Sequence, residues 1–156
     1  MGKYQLSLRA DYHQFYLQDA DASGYLGDSW TPEATESMVA IADGVIGVGT
    51  IRDQFVDVAL EVLDTEPTEF LGDWDQVVDC SIDVPSGCIV IAGCTDYFPD
   101  AFRVAVESGH YRARIYFANL GYVESDKQSG SDYYRVVLWK GPAFVRRVLK
   151  DWKKPE

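Results

Sequence analysis

Hydrophobic and polar residues alternate with a period of two along several stretches of the chain. Between residues 54 and 64 the apolar positions share one face, at Val56, Val58, Leu60 and Val62, and the positions between them are Asp57, Ala59 and Glu61. This alternation is typical of a β-strand with one face in the core and the other towards solvent. The pattern returns at residues 78–84, where Asp79, Ser81 and Asp83 alternate with apolar residues.

Negative charge is concentrated in the same region. The run from Asp53 to Asp100 contains twelve Asp or Glu residues and no Lys or Arg. Ordinary protein surfaces intersperse both signs, although acidic residues also simply solvate many soluble domains. We predict an exposed acidic sheet face that binds a partner through Asp57, Glu61, Asp79 and Asp83.

The length and composition predict one folded domain spanning residues 1–156. Hydrophobic residues make up 47% of the chain and aromatic residues 13%, which excludes a disordered acidic tail. The formal net charge of -11 argues against direct binding of nucleic acid, because phosphate recognition depends on Lys and Arg. An acidic domain of this kind favours basic protein partners or cations.

Compartment and cofactor use follow from what the sequence lacks. The N-terminal residues contain no apolar stretch typical of a signal peptide, and no run of apolar residues is long enough to span a membrane. We therefore expect a cytoplasmic protein without a membrane-bound segment. The three cysteines, Cys80, Cys88 and Cys94, suit reduced core thiols better than a disulfide framework or a metal site, and no cofactor is expected.

The strand pattern changes parity near residue 12. Leu6, Leu8 and Ala10 are inward at even numbers, whereas Phe15 and Leu17 are inward at odd numbers, so a bulge or tight turn must lie between them. Tyr12 and His13 occupy this irregular position. A structural, hydrogen-bonded histidine is the ordinary interpretation, and a role in partner binding is the alternative.

The segment 19–24 resembles the first half of a calcium-binding loop. Asp19, Asp21 and Ser23 alternate and Gly24 follows, but the position of the closing bidentate glutamate is occupied by Trp30. An ordinary Asp/Gly turn is the favoured interpretation. A calcium-binding β-sandwich module remains the alternative function.

Two helices are expected. Thr31 as N-cap and Pro32 at the first helical position begin an amphipathic helix over about residues 32–42, with Gly44 as its C-cap. A short C-terminal helix after Pro142 would carry Val145, Val148, Leu149 and Trp152 on one stripe and basic residues elsewhere, including Lys153 and Lys154. We expect this basic helix to dock onto the acidic body or be solvated, rather than to bind nucleic acid.

Two Ser-Gly dipeptides predict β-hairpins in the second half. A two-residue loop at Ser86-Gly87 would pair Val84 with Ile89, and one at Ser108-Gly109 would pair Val106 with Tyr111. The outward-facing arginines of the second hairpin, Arg103, Arg112 and Arg114, are interpreted as braces against nearby carboxylates.

Catalytic signatures are scarce. The sequence contains no GxSxG, HExxH, P-loop or GxGxxG motif, and its only histidines are His13 and His110. A surface row of mutually exposed acids is a poor place to raise one carboxyl pKa selectively, as glycoside hydrolysis requires. We therefore expect a protein that is not an enzyme.

Several short segments resemble the ComJ family in order and spacing. They are the runs 11–15 (DYHQF), 30–34 (WTPEA) and 42–46 (ADGVI), followed by Arg52, so the resemblance is mainly confined to residues 4–62. The name-giving member of that family inhibits the competence-associated DNA-entry nuclease NucA. The resemblance implies a bacterial nuclease inhibitor or immunity-type protein. From the charge of the chain, we expect its acidic face to occupy the basic substrate groove of that nuclease. The fold we predict is mainly β, a single-domain β-sandwich with the two helices added.

Overall fold

Eleven β-strands form two packed sheets in the computed structural model, which describes residues 2–126 and 129–152. The strands are β1 (Gly2–Arg9), β2 (Gln14–Asp19), β3 (Val39–Ala42), β4 (Val45–Gly49), β5 (Phe55–Leu63), β6 (Gln76–Val84), β7 (Cys88–Gly93), β8 (Phe102–Ala105), β9 (Gly109–Ala118), β10 (Tyr133–Lys140) and β11 (Arg147–Lys150). One α-helix, α1 (Pro32–Ser37), lies between β2 and β3. The predicted mainly β class is confirmed.

The two sheets are formed from interleaved parts of the chain. The six-stranded sheet has the order β1-β5-β10-β9-β6-β11, and the five-stranded sheet has the order β3-β4-β2-β7-β8. All neighbouring strands are antiparallel except β5 and β10, which run parallel. The core lies between the sheets because the alternating apolar residues of both sheets point towards each other.

Aromatic side chains form the centre of this core. The Tyr134 ring packs edge-on against Phe15 and Phe117, with ring centroids 6.1 and 5.8 Å away. Its hydroxyl donates to Asp132 at 2.6 Å and accepts a hydrogen bond from the backbone N–H of Ile51 at 2.9 Å. Burial raises the pKa of Tyr134, so the phenol stays protonated and anchors the segment that contains Ile51.

The predicted parity break is confirmed. Phe15 and Leu17 are fully buried, as Leu8 and Ala10 are before the break. A 3-10 turn at Asp11–His13 separates β1 from β2 and moves the chain from the six-stranded to the five-stranded sheet. The change of parity therefore coincides with a change of sheet.

Helix α1 begins where the sequence predicts and ends earlier. The Thr31 side chain accepts a hydrogen bond from the N–H of Ala34 at 3.1 Å, as an N-cap does, and Pro32 follows it. The predicted span of 32–42 is wrong at its end, because Met38 adopts a left-handed conformation and its N–H closes the helix on Ala34 and Thr35. Residues Val39–Ala42 form β3, and Gly44 serves the β3–β4 turn.

Neither predicted Ser-Gly hairpin forms. The first turn connects β6 in one sheet to β7 in the other, and the second connects β8 to β9 in the same manner. Val84 pairs with Gly109 instead of Ile89, and Cys88 pairs with Ala105. The alternation could not distinguish these arrangements, because the inner faces of both sheets contact the same core.

The predicted C-terminal helix is also wrong. Residues Arg147–Lys150 form the edge strand β11, which pairs with β6 through Arg147–Asp79 and Val148–Val78. The predicted Val145 and Val148 stripe is exposed, whereas Leu149 packs against the outer surface of the six-stranded sheet. Lys153 and Lys154 of the predicted helix lie outside the described residues.

Candidate functional site

The four acids predicted to form one exposed row lie in different environments. Asp57 and Asp83 are exposed, as expected. Glu61 and Asp79 are buried, with 7% and 2% of their surface accessible, which corrects the expectation of exposure for these two. Charged groups are rarely buried without partners, so the surroundings of Glu61 and Asp79 explain their position.

Asp79 is paired with two arginines of β9. Arg114 donates from Nε to Oδ1 at 2.6 Å and from Nη2 to Oδ2 at 3.0 Å, and Arg112 donates to Oδ2 at 3.0 Å. The hydrogen bonds to Asp79 raise the pKa of Arg114. The prediction that Arg112 and Arg114 brace carboxylates is thus confirmed. Arg103 differs, since it donates to the backbone carbonyl groups of Phe98 and Ala101.

Glu61 has an equivalent partner in Arg135 of β10. Arg135 donates to both oxygens of Glu61 and to both oxygens of Glu69, at 2.7 Å in each Glu69 contact. Its guanidinium also lies over the Tyr116 ring, 4.7 Å from the centroid. The hydrogen bonds from Arg135 lower the pKa of Glu69. The missing basic partners of the acidic run therefore come from later strands.

A loop closes over this layer of arginines, acids and aromatic rings. Trp74 of the acidic loop packs on Tyr116, with ring centroids 4.9 Å apart, and lies stacked on Tyr133. These ring contacts anchor the loop to the outer face of the sheet. The loop thus covers part of the outer face of the six-stranded sheet. Arginine side chains compensate much of the negative charge beneath it.

The corner at Tyr12 and His13 borders a cavity of about 520 Å³. His13 Nδ1 lies 3.1 Å from the carbonyl oxygen of Ile51, which fixes its imidazole against the neighbouring loop. The Tyr12 side chain is 75% exposed. The cavity is lined by Tyr12, His13, Gln14, Trp30, Thr35, Glu36, Met38, Gly49, Thr50, Ile51, Gln76 and Trp152.

Three lining residues have an unusual backbone conformation. The φ angles of Tyr12, His13 and Met38 are 59°, 61° and 65°, in the left-handed region that non-glycine residues rarely occupy. Only one other described non-glycine residue, Asn119, has a positive φ. Strain of this kind accumulates where the surrounding structure holds a functional geometry, so its concentration around one cavity marks that cavity as a candidate site.

A second acidic segment supplies one residue, Glu36, to the lining of this cavity. Residues 10–51 contain seven acids and no Lys or Arg, so a second acidic segment, besides the run 53–100, is visible in the sequence. Five of these acids are exposed and form no ion pair with any described residue. They lie between the end of β2 and the β3–β4 turn, and we name them the uncompensated acids: Asp21, Asp28, Glu33, Glu36 and Asp43. Glu36 lies at the cavity, whereas Asp21 and Asp43 lie at the opposite end of β2 and β4.

The loop that resembles a calcium site has a structural role in this fold. Asp19 is 2% exposed, and its Oδ1 accepts hydrogen bonds from the N–H and hydroxyl of Ser86 at 3.1 and 2.5 Å. Its Oδ2 accepts from the N–H of Asp21 at 3.1 Å, and the Ser23 hydroxyl accepts from the N–H of Tyr25. Within residues 2–126 and 129–152, no group of three His, Cys, Asp or Glu side chains is placed to hold a metal.

The cysteines are free thiols in the described structure. Cys80 is fully buried on the inner face of β6, and Cys88 and Cys94 are partly buried. Burial raises the pKa of Cys80 to about 12. No helix in the described part of the chain has the length and hydrophobicity needed to cross a membrane.

Comparison with known proteins reveals similarity at the level of fold. No protein-family model and no curated protein sequence matches the chain. The crystal structure of ComJ from Bacillus subtilis, an inhibitor of the DNA-degrading activity of NucA, aligns with a TM-score of 0.66 and 20% identity over 90% of this chain and 96% of that one. A structure described as crocagin biosynthetic gene J aligns with a TM-score of 0.57 and 14% identity over 89% of this chain and 98% of that one. These likenesses show that the chain has a ComJ-like fold.

Proposed function

We propose that this chain inhibits a nuclease by covering the enzyme's basic substrate groove. The fold is similar over nearly its whole length to that of ComJ, which inhibits the DNA-degrading activity of NucA. Similarity of fold does not by itself transfer function, so the proposal depends on what the surface offers. The observation that carries it is the group of uncompensated acids on this fold.

The charge of these acids is available to a partner. Glu61 and Asp79 already contact arginines of the same chain, whereas Asp21, Glu33 and Asp43 have no described basic partner. A nuclease groove that binds phosphates is lined by Lys and Arg. An acidic surface complements such a groove, accelerates encounter, and excludes DNA without entering the chemistry of the enzyme.

This proposal moves the contact away from the centre of the six-stranded sheet. Asp57 remains an exposed acid there, and Asp83 is exposed but bonded to His110. Tyr12 and His13 line the cavity together with Glu36, one of the uncompensated acids, and we place them in the same contact surface. The partner is then a basic protein, and the chain itself does not bind nucleic acid directly.

The proposal covers two biological settings. The inhibited nuclease can be made by the same cell, as a competence enzyme is, or can be a toxin of a competing bacterium. Both settings suit a cytoplasmic inhibitor with free thiols. The physical mechanism of inhibition is the same in each.

Inhibition can be measured directly with purified proteins. The chain is titrated into DNA-degradation assays with NucA and with the nuclease activities of the native lysate, and an unrelated protein of equal negative charge serves as the control. We expect one of these activities to fall to a plateau at a fixed molar ratio, because a specific complex saturates. The proposal is wrong if the chain reduces no activity more than the acidic control does.

A further inference from the structure

We infer that the cavity beside Tyr12 binds an arginine side chain of the protein partner. This inference rests on the proposed function and deepens it, because it names the chemical group of the partner that the chain receives. The cavity volume of about 520 Å³ is in the range of sites that bury a small ligand or a large side chain. The composition, the rigidity and the charge of the lining all favour an arginine side chain.

The lining combines aromatic rings with a free carboxylate. Three aromatic side chains contribute to the walls: Tyr12, Trp30 and Trp152. Glu36 of α1 also lines the cavity, and its carboxylate forms no hydrogen bond or ion pair with any described residue. A planar cation that stacks on rings and donates several hydrogen bonds is the natural complement of this set, and guanidinium has those properties.

Side-chain amides of Gln14 and Gln76 hold two of these walls in place. The Trp30 indole N–H donates to Oε1 of Gln14 at 3.1 Å. The Trp152 backbone N–H donates to Oε1 of Gln76 at 3.3 Å, while the Gln76 amide N–H donates to the carbonyl oxygen of Ser37 at the end of α1. Gln76 therefore connects the Trp152 wall to the helix that carries Glu36. A site fixed in this manner loses little conformational entropy when a side chain enters.

Elsewhere in the structure, two arginines of this chain each contact a carboxylate and an aromatic ring. Arg112 contacts Asp79 and lies 3.6 Å from the centroid of the Phe144 ring. Arg135 contacts Glu61 and lies over Tyr116. The cavity offers the same two kinds of group, a carboxylate and aromatic rings, but its described lining includes no Lys or Arg.

Charge complementarity identifies where the arginine comes from. Glu36, one of the uncompensated acids, lines the cavity, and the part of the sequence between Arg9 and Arg52, which supplies most of the lining, contains no Lys or Arg. An arginine of a basic protein surface is therefore attracted to the mouth before it enters. Buried arginines are frequent hot spots of protein interfaces, which is consistent with a contact that fixes the complex after encounter.

The site can be tested without the nuclease. Indole N–H signals of Trp30 and Trp152 are followed by NMR while N-acetyl-arginine amide is added to the full chain, with the uncharged N-acetyl-citrulline amide as a matched probe. We expect saturable shifts with arginine amide in the millimolar range, typical of a single side chain, and binding of the citrulline probe weaker by about tenfold or more. The inference is overturned if neither indole responds, or if both probes act equally.

Two glutamates of α1 provide matched variants. Glu36→Gln removes the carboxylate in the cavity, and Glu33→Gln removes the same charge from the same helix outside the lining. We expect Glu36→Gln to weaken arginine-amide binding by about tenfold, because a charge-assisted hydrogen bond is lost, and Glu33→Gln to weaken it by less than about twofold. Equal effects of the two variants contradict the inference. Unchanged dispersion of the remaining NMR signals verifies that both variants are folded.

Inhibition assays separate this inference from the proposed function. With an inhibited nuclease, Glu36→Gln should accelerate dissociation of the complex by about tenfold or more, whereas Asp64→Asn, beyond the far end of β5, should not. A chain that binds arginine amide through Glu36 but inhibits no nuclease retains the site and refutes the nuclease proposal. A chain that inhibits a nuclease with no contribution from Glu36 and no response to arginine amide refutes the site alone.

Discussion

Arg114 donates one hydrogen bond to each carboxylate oxygen of Asp79, and both side chains are buried beneath the loop that carries Pro67. This pair occupies adjacent strands at the outer face of the six-stranded sheet, with Asp79 and Arg114 directly opposite in register. The two groups compensate each other, so each is costly to bury alone.

Removing either partner should therefore destabilise the fold strongly. We expect Asp79→Asn to lower the free energy of unfolding by about 3 kcal/mol, because two arginines then lose their shared anion. Asp57→Asn is the control, since that acid is exposed on β5, and it should change stability by less than about 0.5 kcal/mol. Chemical denaturation monitored by tryptophan fluorescence compares them. Equal stability of the two variants would show that the buried pair does not hold the outer layer.

Association rates should identify the acidic surface that meets the partner. Neutralising Asp21, Asp28 and Asp43 to Asn should slow association with the inhibited nuclease about tenfold at low salt and flatten its salt dependence. The pair Asp57→Asn and Asp83→Asn serves as a comparison on the other sheet. If stopped-flow rates respond to the second set and not to the first, the acidic face predicted from the strand pattern is the contact surface instead.

Tyr12→Gly should change stability and arginine-amide binding in opposite directions. A left-handed conformation costs a bulky residue about 1–2 kcal/mol, whereas glycine loses about 0.5–1 kcal/mol of extra backbone entropy on folding. Since the Tyr12 side chain is mostly exposed, we expect a net stabilisation of about 0.5–1 kcal/mol together with weaker arginine-amide binding. Thermal unfolding and the NMR titration measure the two effects. A destabilised variant would show that the ring contributes to folding more than the strain costs.

Cys80 should make stability fall at alkaline pH. Its folded pKa, raised by burial to about 12, exceeds the ordinary value of 9.0, so the unfolded chain loses this proton first. Stability is therefore fully present below about pH 9 and decreases by up to about 1.4 kcal/mol per pH unit above it, from this thiol alone. Guanidinium unfolding at pH 8, 9 and 10 should show a smaller slope for Cys80→Ala. An unchanged slope in Cys80→Ala would show that the buried tyrosines, rather than this thiol, cause the loss of stability at alkaline pH.

Calcium should have little effect on this protein. The carboxylate of Asp19 already accepts hydrogen bonds from Ser86 and Asp21, and a bound cation would have to replace those contacts. We expect calorimetry to detect no calcium site tighter than about millimolar at residues 19–24. Tighter binding that disappears in Asp21→Asn would restore the interpretation as a calcium-binding module.

Local rules predicted those elements that local interactions determine. The alternation of β5, the change of parity at Tyr12 and the helix start at Thr31-Pro32 all depend on residues a few positions apart. The helix end was missed because Met38 takes the left-handed position that glycine usually fills, and no composition rule indicates that choice.

Charge compensation could not be predicted in the same manner. Glu61 and Arg135 are separated by 74 residues, and Asp79 and Arg114 by 35, so the acidic run looked unpartnered when only its own segment was considered. The acids of residues 10–51 were visible in the sequence, yet the cavity beside them was not. Its walls come from segments as distant as Trp30 and Trp152, which only the packing of the sheets brings together.

The two Ser-Gly turns impose an order on assembly. Each turn carries the chain from one sheet to the other, and the turns contact each other through the Val106 N–H and the Gly87 carbonyl at 2.9 Å. Strands β6 and β9 are hydrogen-bonded within the six-stranded sheet, and β7 and β8 within the five-stranded sheet. All five strands of the five-stranded sheet precede β9 in the chain, whereas the six-stranded sheet also needs β9, β10 and β11. We therefore expect the larger sheet to be completed last, because β10 joins β5 to β9 and so unites the early and late halves of that sheet.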